Sequence, residues 1–232
     1  MIAHPTEGYV FIVTYGRSGS TLIQALLNRI PGYQIRGENN NALAHLVRAW
    51  LAISNAKPMV GLRRLGTASP PDHPWYGAER VCPDVLGRHL AETFVCSILQ
   101  PDPGVRVSGF KEIRFHDHPK LFPHYMRFIR SFFPNSRFVF NTRSHAAVAQ
   151  SGWWKTVDPA VVFAELKTAE RLFSTYAKNH PSHSSTLHYD DYATAPDALA
   201  PLYDFLGEEM DMDRVKQVFA TRLNHARIPG DG

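Results

Sequence analysis

Apolar positions along the chain follow two periods, and the switches between them mark the elements. Tyr9-Val10-Phe11-Ile12-Val13-Thr14 is a continuous apolar, β-branched run, the pattern of a strand covered on both faces in the middle of a parallel sheet. After a loop over 15–19, Leu22, Ile23, Leu26, Leu27 and Ile30 recur at helical spacing until Pro31-Gly32 stops them. Residues 33–36 read as a second short strand. Residues 41–54 read as a helix that the polar Asn39-Asn40-Asn41 start can cap, with Glu38 on the joining loop. Between 56 and 83 the pattern dissolves into Pro, Gly and charge around Pro70-Pro71-Asp72-His73-Pro74-Trp75-Tyr76-Gly77, which predicts a long loop of the kind used as a lid or binding segment. Beyond it the expected elements are a helix over 84–99, a strand over 105–110, a helix over 121–133 and a strand over 137–141. Helices over 145–154 and 159–179, a strand over 185–188, and helices near 196–206 and 213–223 complete the chain. Strands alternating with helices predict a single α/β domain over residues 1–232, its mostly parallel central sheet flanked by helices and its ligands beyond the carboxyl ends of the strands.

Composition narrows the class. With 44% hydrophobic and 20% charged residues the chain can bury a core and is neither disordered nor collagen-like. Lys+Arg 25 against Asp+Glu 21 leaves a net charge of +4, which suits an anionic ligand but lacks the dense clustering of a nucleic-acid partner. Cys82 and Cys96 are too few for a secreted disulfide scaffold and lack zinc spacing, so both are expected as reduced, buried thiols of a cytoplasmic protein, with a single disulfide between them as the alternative. The first apolar run falls far short of the roughly 18 residues of a membrane span, and no targeting segment is expected.

Gly16-Arg17-Ser18-Gly19-Ser20-Thr21 lies where a buried strand ends and a helix begins, so backbone N–H groups and the positive end of the helix dipole converge on one point. Gly16 and Gly19 permit close backbone approach, Ser18, Ser20 and Thr21 add hydroxyls, and Arg17 adds a fixed positive charge. The plain alternative is ordinary Gly and Ser capping of a helix; the strand and helix on either side favour a phosphate or sulfate site. A Walker-type loop would need lysine before Thr21, where Ser20 stands, and a dinucleotide fingerprint would need a third glycine in register.

These residues resemble the sulfotransferases that use 3′-phosphoadenosine 5′-phosphosulfate. Their 5′-phosphosulfate loop commonly reads T-x-P-[RK]-[SG]-G-[ST]-[ST], and Thr14-Tyr15-Gly16-Arg17-Ser18-Gly19-Ser20-Thr21 is similar, with Gly16 where proline is usual. Their second signature is a strand ending in arginine with a serine eight residues on, together holding the 3′-phosphate; Arg137 to Arg143 followed by Ser151 is similar, with Ser144-His145 in place of the usual Asp-Pro or Asn-Pro. Leu187-His188-Tyr189-Asp190-Asp191-Tyr192 and Leu202-Tyr203-Asp204-Phe205-Leu206-Gly207 resemble the family's C-terminal Y-E-D-L…F-L-G pattern. The resemblance spans about Tyr9 to Gly207. It implies a P-loop-like sulfotransferase fold, 3′-phosphoadenosine 5′-phosphosulfate as co-substrate and no metal. Alone, Arg143 reads as a surface ion pair and Ser151 as a plain helix residue; the ordered pair reads as a phosphate clamp. Trp153 and Trp154 follow directly, one of them either beside the adenine or in the core. Arg227-Ile228-Pro229-Gly230 stand where the family often has a further glycine-basic loop, but match it poorly.

Sulfuryl transfer also needs a base for the acceptor hydroxyl. The carbohydrate-modifying branch of the family often places a glutamate just after the second strand, and Arg36-Gly37-Glu38-Asn39 resembles that position, making Glu38 the first candidate; its bland role is capping or an ion pair with Arg36. Glu112 is the reserve, or a partner orienting Lys111 or Arg114, which stand where they could meet the sulfonate or an acidic acceptor, or remain solvated charges. The phenol branch uses histidine, which brings in His116 and His118; His116-Asp117-His118 shows no third ligand in sequence, and no metal site is expected. The long 56–83 segment, with Trp75 and Tyr76 to stack on a sugar ring, points to a carbohydrate or glycoconjugate acceptor. Two other classes share the loop: a nucleotide kinase-like phosphotransferase, which should show a Walker lysine and a magnesium-binding acid, and a non-catalytic nucleotide-binding protein, which would tolerate loss of Glu38.

Overall fold

A computed structural model of the chain describes residues 4–225. In chain order the elements are β1 (Tyr9–Val13), α1 (Ser20–Leu27), β2 (Tyr33–Arg36), α2 (Ala42–Ser54), α3 (Lys57–Leu65), α4 (Pro83–Phe94), β3 (Val107–Glu112), α5 (Phe122–Phe132), β4 (Ser136–Thr142), α6 (His145–Ala149), α7 (Pro159–Asn179), β5 (Ser184–His188), α8 (Tyr189–Thr194), α9 (Ala200–Leu206) and α10 (Met212–His225). All strand pairings are parallel, in the order β2-β3-β1-β4-β5. β1 is central because its residues are apolar on both faces: every one from Tyr9 to Val13 is fully buried, and the strand's alternation divides it between two cores. Tyr9, Phe11 and Val13 join an aromatic-rich cluster with residues of α2, α4, α5 and α7, while Val10 and Ile12 join a second cluster with residues of α1, α9 and α10. Each large side chain so buried contributes roughly 1.5–3 kcal/mol of transfer free energy.

The register brings Val13 level with Glu112 of β3 and Phe140 of β4. The carboxyl ends of the three inner strands therefore open on one edge, and the loops after β1, β2, β3 and β4 all start there. α7 has the bounds expected of it, because Asp158 accepts from the Ala160 amide and Pro159 takes the first position, where its missing N–H costs nothing.

Several expectations are corrected. The 56–83 segment is not a continuous loop: it holds α3 and a 3₁₀ turn at Ala78–Arg80, packed on each other. The helix expected over 84–99 becomes a π-helix at Val95–Leu99. β3 runs two residues later than expected, carrying the charged Lys111 and Glu112 into the sheet. The helix expected over 145–154 divides into α6 and a 3₁₀ turn at Gly152–Thr156, and α8 was not anticipated. Cys82 and Cys96 are free but exposed, not buried. Residues 227–230 lie outside the described residues. Among the described residues no helix is long and apolar enough to cross a membrane.

Candidate active site

The loop after β1 is shaped by ties to β4. The buried Thr14 hydroxyl reaches Asn141 O (2.7 Å) and Ser18 Oγ (2.6 Å), Asn141 Nδ2 donates to Ser18 O (3.0 Å), and Tyr192 Oη donates to Asn141 Oδ1 (2.8 Å). Arg17 and Gly19 take left-handed backbone conformations, φ 66° and 82°. At Gly19 this is joined by crowding, since a Cβ there would lie 2.2 Å from the Tyr189 ring. Gly16 is required for a different reason: a Cβ would lie 2.3 Å from Trp153 Cζ2. The proline usual at this position in the resembling loops is thus replaced by a glycine covered by an indole. α1 begins just beyond with no side-chain cap and no acid in its first turn, leaving its N-terminal dipole uncompensated.

A cavity of about 310 Å³ opens over this loop. Its wall includes Gly16, Arg17, Gly19, Ser20 and Thr21, together with Glu38 after β2, Lys111 of β3, Arg143 after β4, and Trp153. Arg17 and Arg143, 126 positions apart in sequence, so face one cleft; the Arg143 Nη1 donates to Arg17 O (3.0 Å), and its guanidinium lies 4.6 Å over the Tyr189 ring. Ser151 is bonded through Oγ to Arg17 Nε (2.9 Å) and is not among the residues that line the cavity. Ser18 departs from the expectation: its side chain is fully buried against Thr14, bracing the loop instead of presenting a hydroxyl to the cavity. Trp154 is buried, with Nε1 donating to Gly16 O (3.2 Å), whereas Trp153 is 52% exposed.

On the opposite side of the cavity, Glu38 accepts from Lys111 Nζ (2.6 Å) and from Arg114 Nη1 (3.3 Å). Its side chain keeps 33% exposure, so the carboxylate is both neutralised and reachable. Its bland alternative, an ion pair with Arg36, does not form; Arg36 donates instead to Leu99 O and Gln100 O. Glu112 is fully buried and occupied with structure: it accepts from the amides of Asn41 (2.8 Å), Ile113 (2.9 Å) and Asn39 (3.4 Å), and from Arg114 Nη1 (3.3 Å). It therefore pins the loop that carries Glu38, and it orients Arg114 but not Lys111. The two carboxylates are separated in role by burial.

His116 lies elsewhere, with Nε2 3.3 Å from Glu165 of α7 and 3.9 Å from Asp117. The third group that the sequence could not supply comes from α7, and His118 takes no part in the cluster. Burial pushes the Asp117 carboxyl up, and His116 opposes this. A larger cleft of about 800 Å³ between α5 and α7 shares no residue with the loop cavity and holds no carboxylate that could serve as a base. Chemistry and not volume identifies the smaller site. No residue of 56–83 lines that site, and Trp75 and Tyr76 are exposed outside it.

The cavity's donors are two guanidiniums, an ammonium, hydroxyls and a helix N-terminus, a set that fits a multiply charged anion. A family model described as Sulfotransferase family matches residues 9–212. Among solved structures, the chain is similar to the sulfotransferase domain of the olefin synthase of Synechococcus PCC 7002, at 18% identity and TM-score 0.55, over 92% of this chain and 78% of that one. It is also similar to the sulfotransferase domain from the curacin biosynthetic pathway, at 17% identity and TM-score 0.56, over 91% and 77%. No curated protein sequence matches.

Proposed function

Since the chain belongs to the sulfotransferase family, we propose that it transfers the sulfuryl group of 3′-phosphoadenosine 5′-phosphosulfate to a hydroxyl acceptor, with Glu38 as the base. The observation that carries this reading is the single cavity that gathers the loop, Arg143, Lys111 and Glu38. The loop backbone, Arg17, Ser20 and Thr21 would hold the 5′-phosphosulfate, and Arg143 with Ser151 the 3′-phosphate. Sulfuryl transfer is an in-line displacement with charge spread over three equatorial oxygens, so positioning and cations do most of the work. Glu38 takes the acceptor's proton, the acceptor oxygen bonds to sulfur, and the bond from sulfur to the 5′-phosphate oxygen breaks. The products are a sulfate ester and adenosine 3′,5′-bisphosphate. Lys111, almost buried, pairs with Glu38 at 2.6 Å and would face the developing charge of the sulfonate. No step calls for a metal.

The acceptor we propose is a carbohydrate or glycoconjugate. It is supported by the glutamate's position after β2, in the wall of the loop cavity. Two free thiols suit a reducing, cytoplasmic setting. Calorimetric titration with adenosine 3′,5′-bisphosphate and with ATP tests the donor: the bisphosphate should bind far more tightly, and tighter ATP binding overturns the reading in favour of a kinase. Turnover of labelled donor over a panel of sugar and non-sugar alcohols tests the acceptor. Transfer confined to non-sugar alcohols removes the carbohydrate, and no transfer to any acceptor despite tight bisphosphate binding favours a non-catalytic binder.

A further inference from the structure

The loop motif leaves its second position open, and Tyr15 stands there. Its ring is fully buried, edge-on to His116. The ladder between β1 and β4 ends at Val13 and Phe140, so Arg143 lies beyond the reach of backbone pairing. Tyr15 takes over at this point: its Oη accepts from the Arg143 amide (2.7 Å) and donates to Glu170 Oε1 of α7 (2.7 Å), with Arg143 O at 3.0 Å. The other Glu170 oxygen lies 3.1 Å from His145 Nε2, at the first residue of α6. Burial and the neighbouring Glu170 hold the phenol above its ordinary pKa, so the hydroxyl keeps its proton and remains both donor and acceptor. One side chain of the loop thus ties down the main chain of Arg143, and its partner Glu170 ties down the start of the helix that leads to Ser151.

We infer that Tyr15, braced by Glu170, is a positioning residue that sets the spacing between the loop and the Arg143–Ser151 clamp, and so gives the site its selectivity for a nucleotide bearing a 3′-phosphate. This rests on the donor reading above. The hydroxyl touches no substrate; it acts through the backbone of Arg143. Tyr15→Phe keeps the packed ring and removes both hydrogen bonds.

The test compares affinities for adenosine 3′,5′-bisphosphate and adenosine 5′-monophosphate by calorimetry in wild type and Tyr15→Phe. The wild type should favour the bisphosphate strongly. In the variant that preference should shrink by roughly ten- to a hundredfold, the range for losing a hydrogen bond to a charged partner, while affinity for the monophosphate changes by less than about twofold. A uniform loss for both nucleotides marks a merely structural role and overturns the inference, as does an unchanged preference. A wild type that binds both nucleotides alike overturns the donor reading itself, which distinguishes the two failures. Should Tyr15→Phe not fold, Glu170→Ala decides by the same ratio, with Glu170→Gln, which keeps an acceptor oxygen, expected to restore it.

Discussion

Replacing Glu112 with glutamine separates the carboxylate that holds the site from the one proposed as its base. Glu112 is fully buried and receives three backbone N–H groups and one guanidinium N–H. Glutamine of the same shape retains one acceptor oxygen but turns the other into an amide donor facing N–H groups. Hydrogen bonds to a charged group contribute about 1.5–3 kcal/mol each and are not additive, so the change should cost about 2–4 kcal/mol. For a chain of this size that corresponds to a melting temperature lower by roughly 5–15 °C. Circular dichroism melts at pH 7 measure it. Transfer assayed well below the melt should fall too, because the amides of Asn39 and Asn41 hold the loop on which Glu38 rides. A Glu112→Gln protein melting within about 1 °C of wild type would show that this carboxylate does not pin the loop.

For Glu38→Gln transfer should fall roughly 10²- to 10⁴-fold with a smaller loss of melting temperature than for Glu112→Gln, because the amide oxygen still accepts from Lys111 on a side chain a third exposed; undiminished transfer removes Glu38 as base. Gly19→Ala should weaken bisphosphate binding and destabilise by about 1–3 kcal/mol, since φ 82° and the Tyr189 ring both exclude a Cβ; calorimetry and a melt check both parts. Burial pushes the phenols of Tyr33 and Tyr176 up to about 12. A folded state that keeps these protons while the unfolded chain has released them loses stability as pH rises from about 10 towards 12, and the buried tyrosines' share of the phenolate absorbance should appear with unfolding, not before it.

The elements that could be read from the chain are those whose local pattern and tertiary setting agree. The unbroken apolar run of β1 is both its sequence signal and the cause of its central place, and the Asp158-Pro159 start announces α7 because cap and first turn are satisfied locally. Reading failed where a distant partner decides. By charge alone β3 should end before Lys111 and Glu112, yet Glu38, Asn41 and Arg114 supply what those side chains need inside the sheet. Pro58 and Gly61 hid α3, whose proline occupies a permitted first-turn position. In the site, residue types and spacing pointed to the loop and the resemblance to Glu38 and Arg143, which share one cavity with Lys111, but Ser18's inward hydroxyl depends on Thr14 and Asn141, and Tyr15 meets its partners only when β4 and α7 arrive beside it. The one local sign of Trp153's place was glycine where the resembling loops carry proline.

The strand order divides labour across the cleft. Glu38 and Lys111 stand on the β2–β3 side of the middle strand, Arg143 and Tyr189 on the β4–β5 side, and the loop after β1 alone belongs to both. On the proposed reading, a change on the first flank alters which alcohol is taken while the nucleotide grip on the second is left as it is.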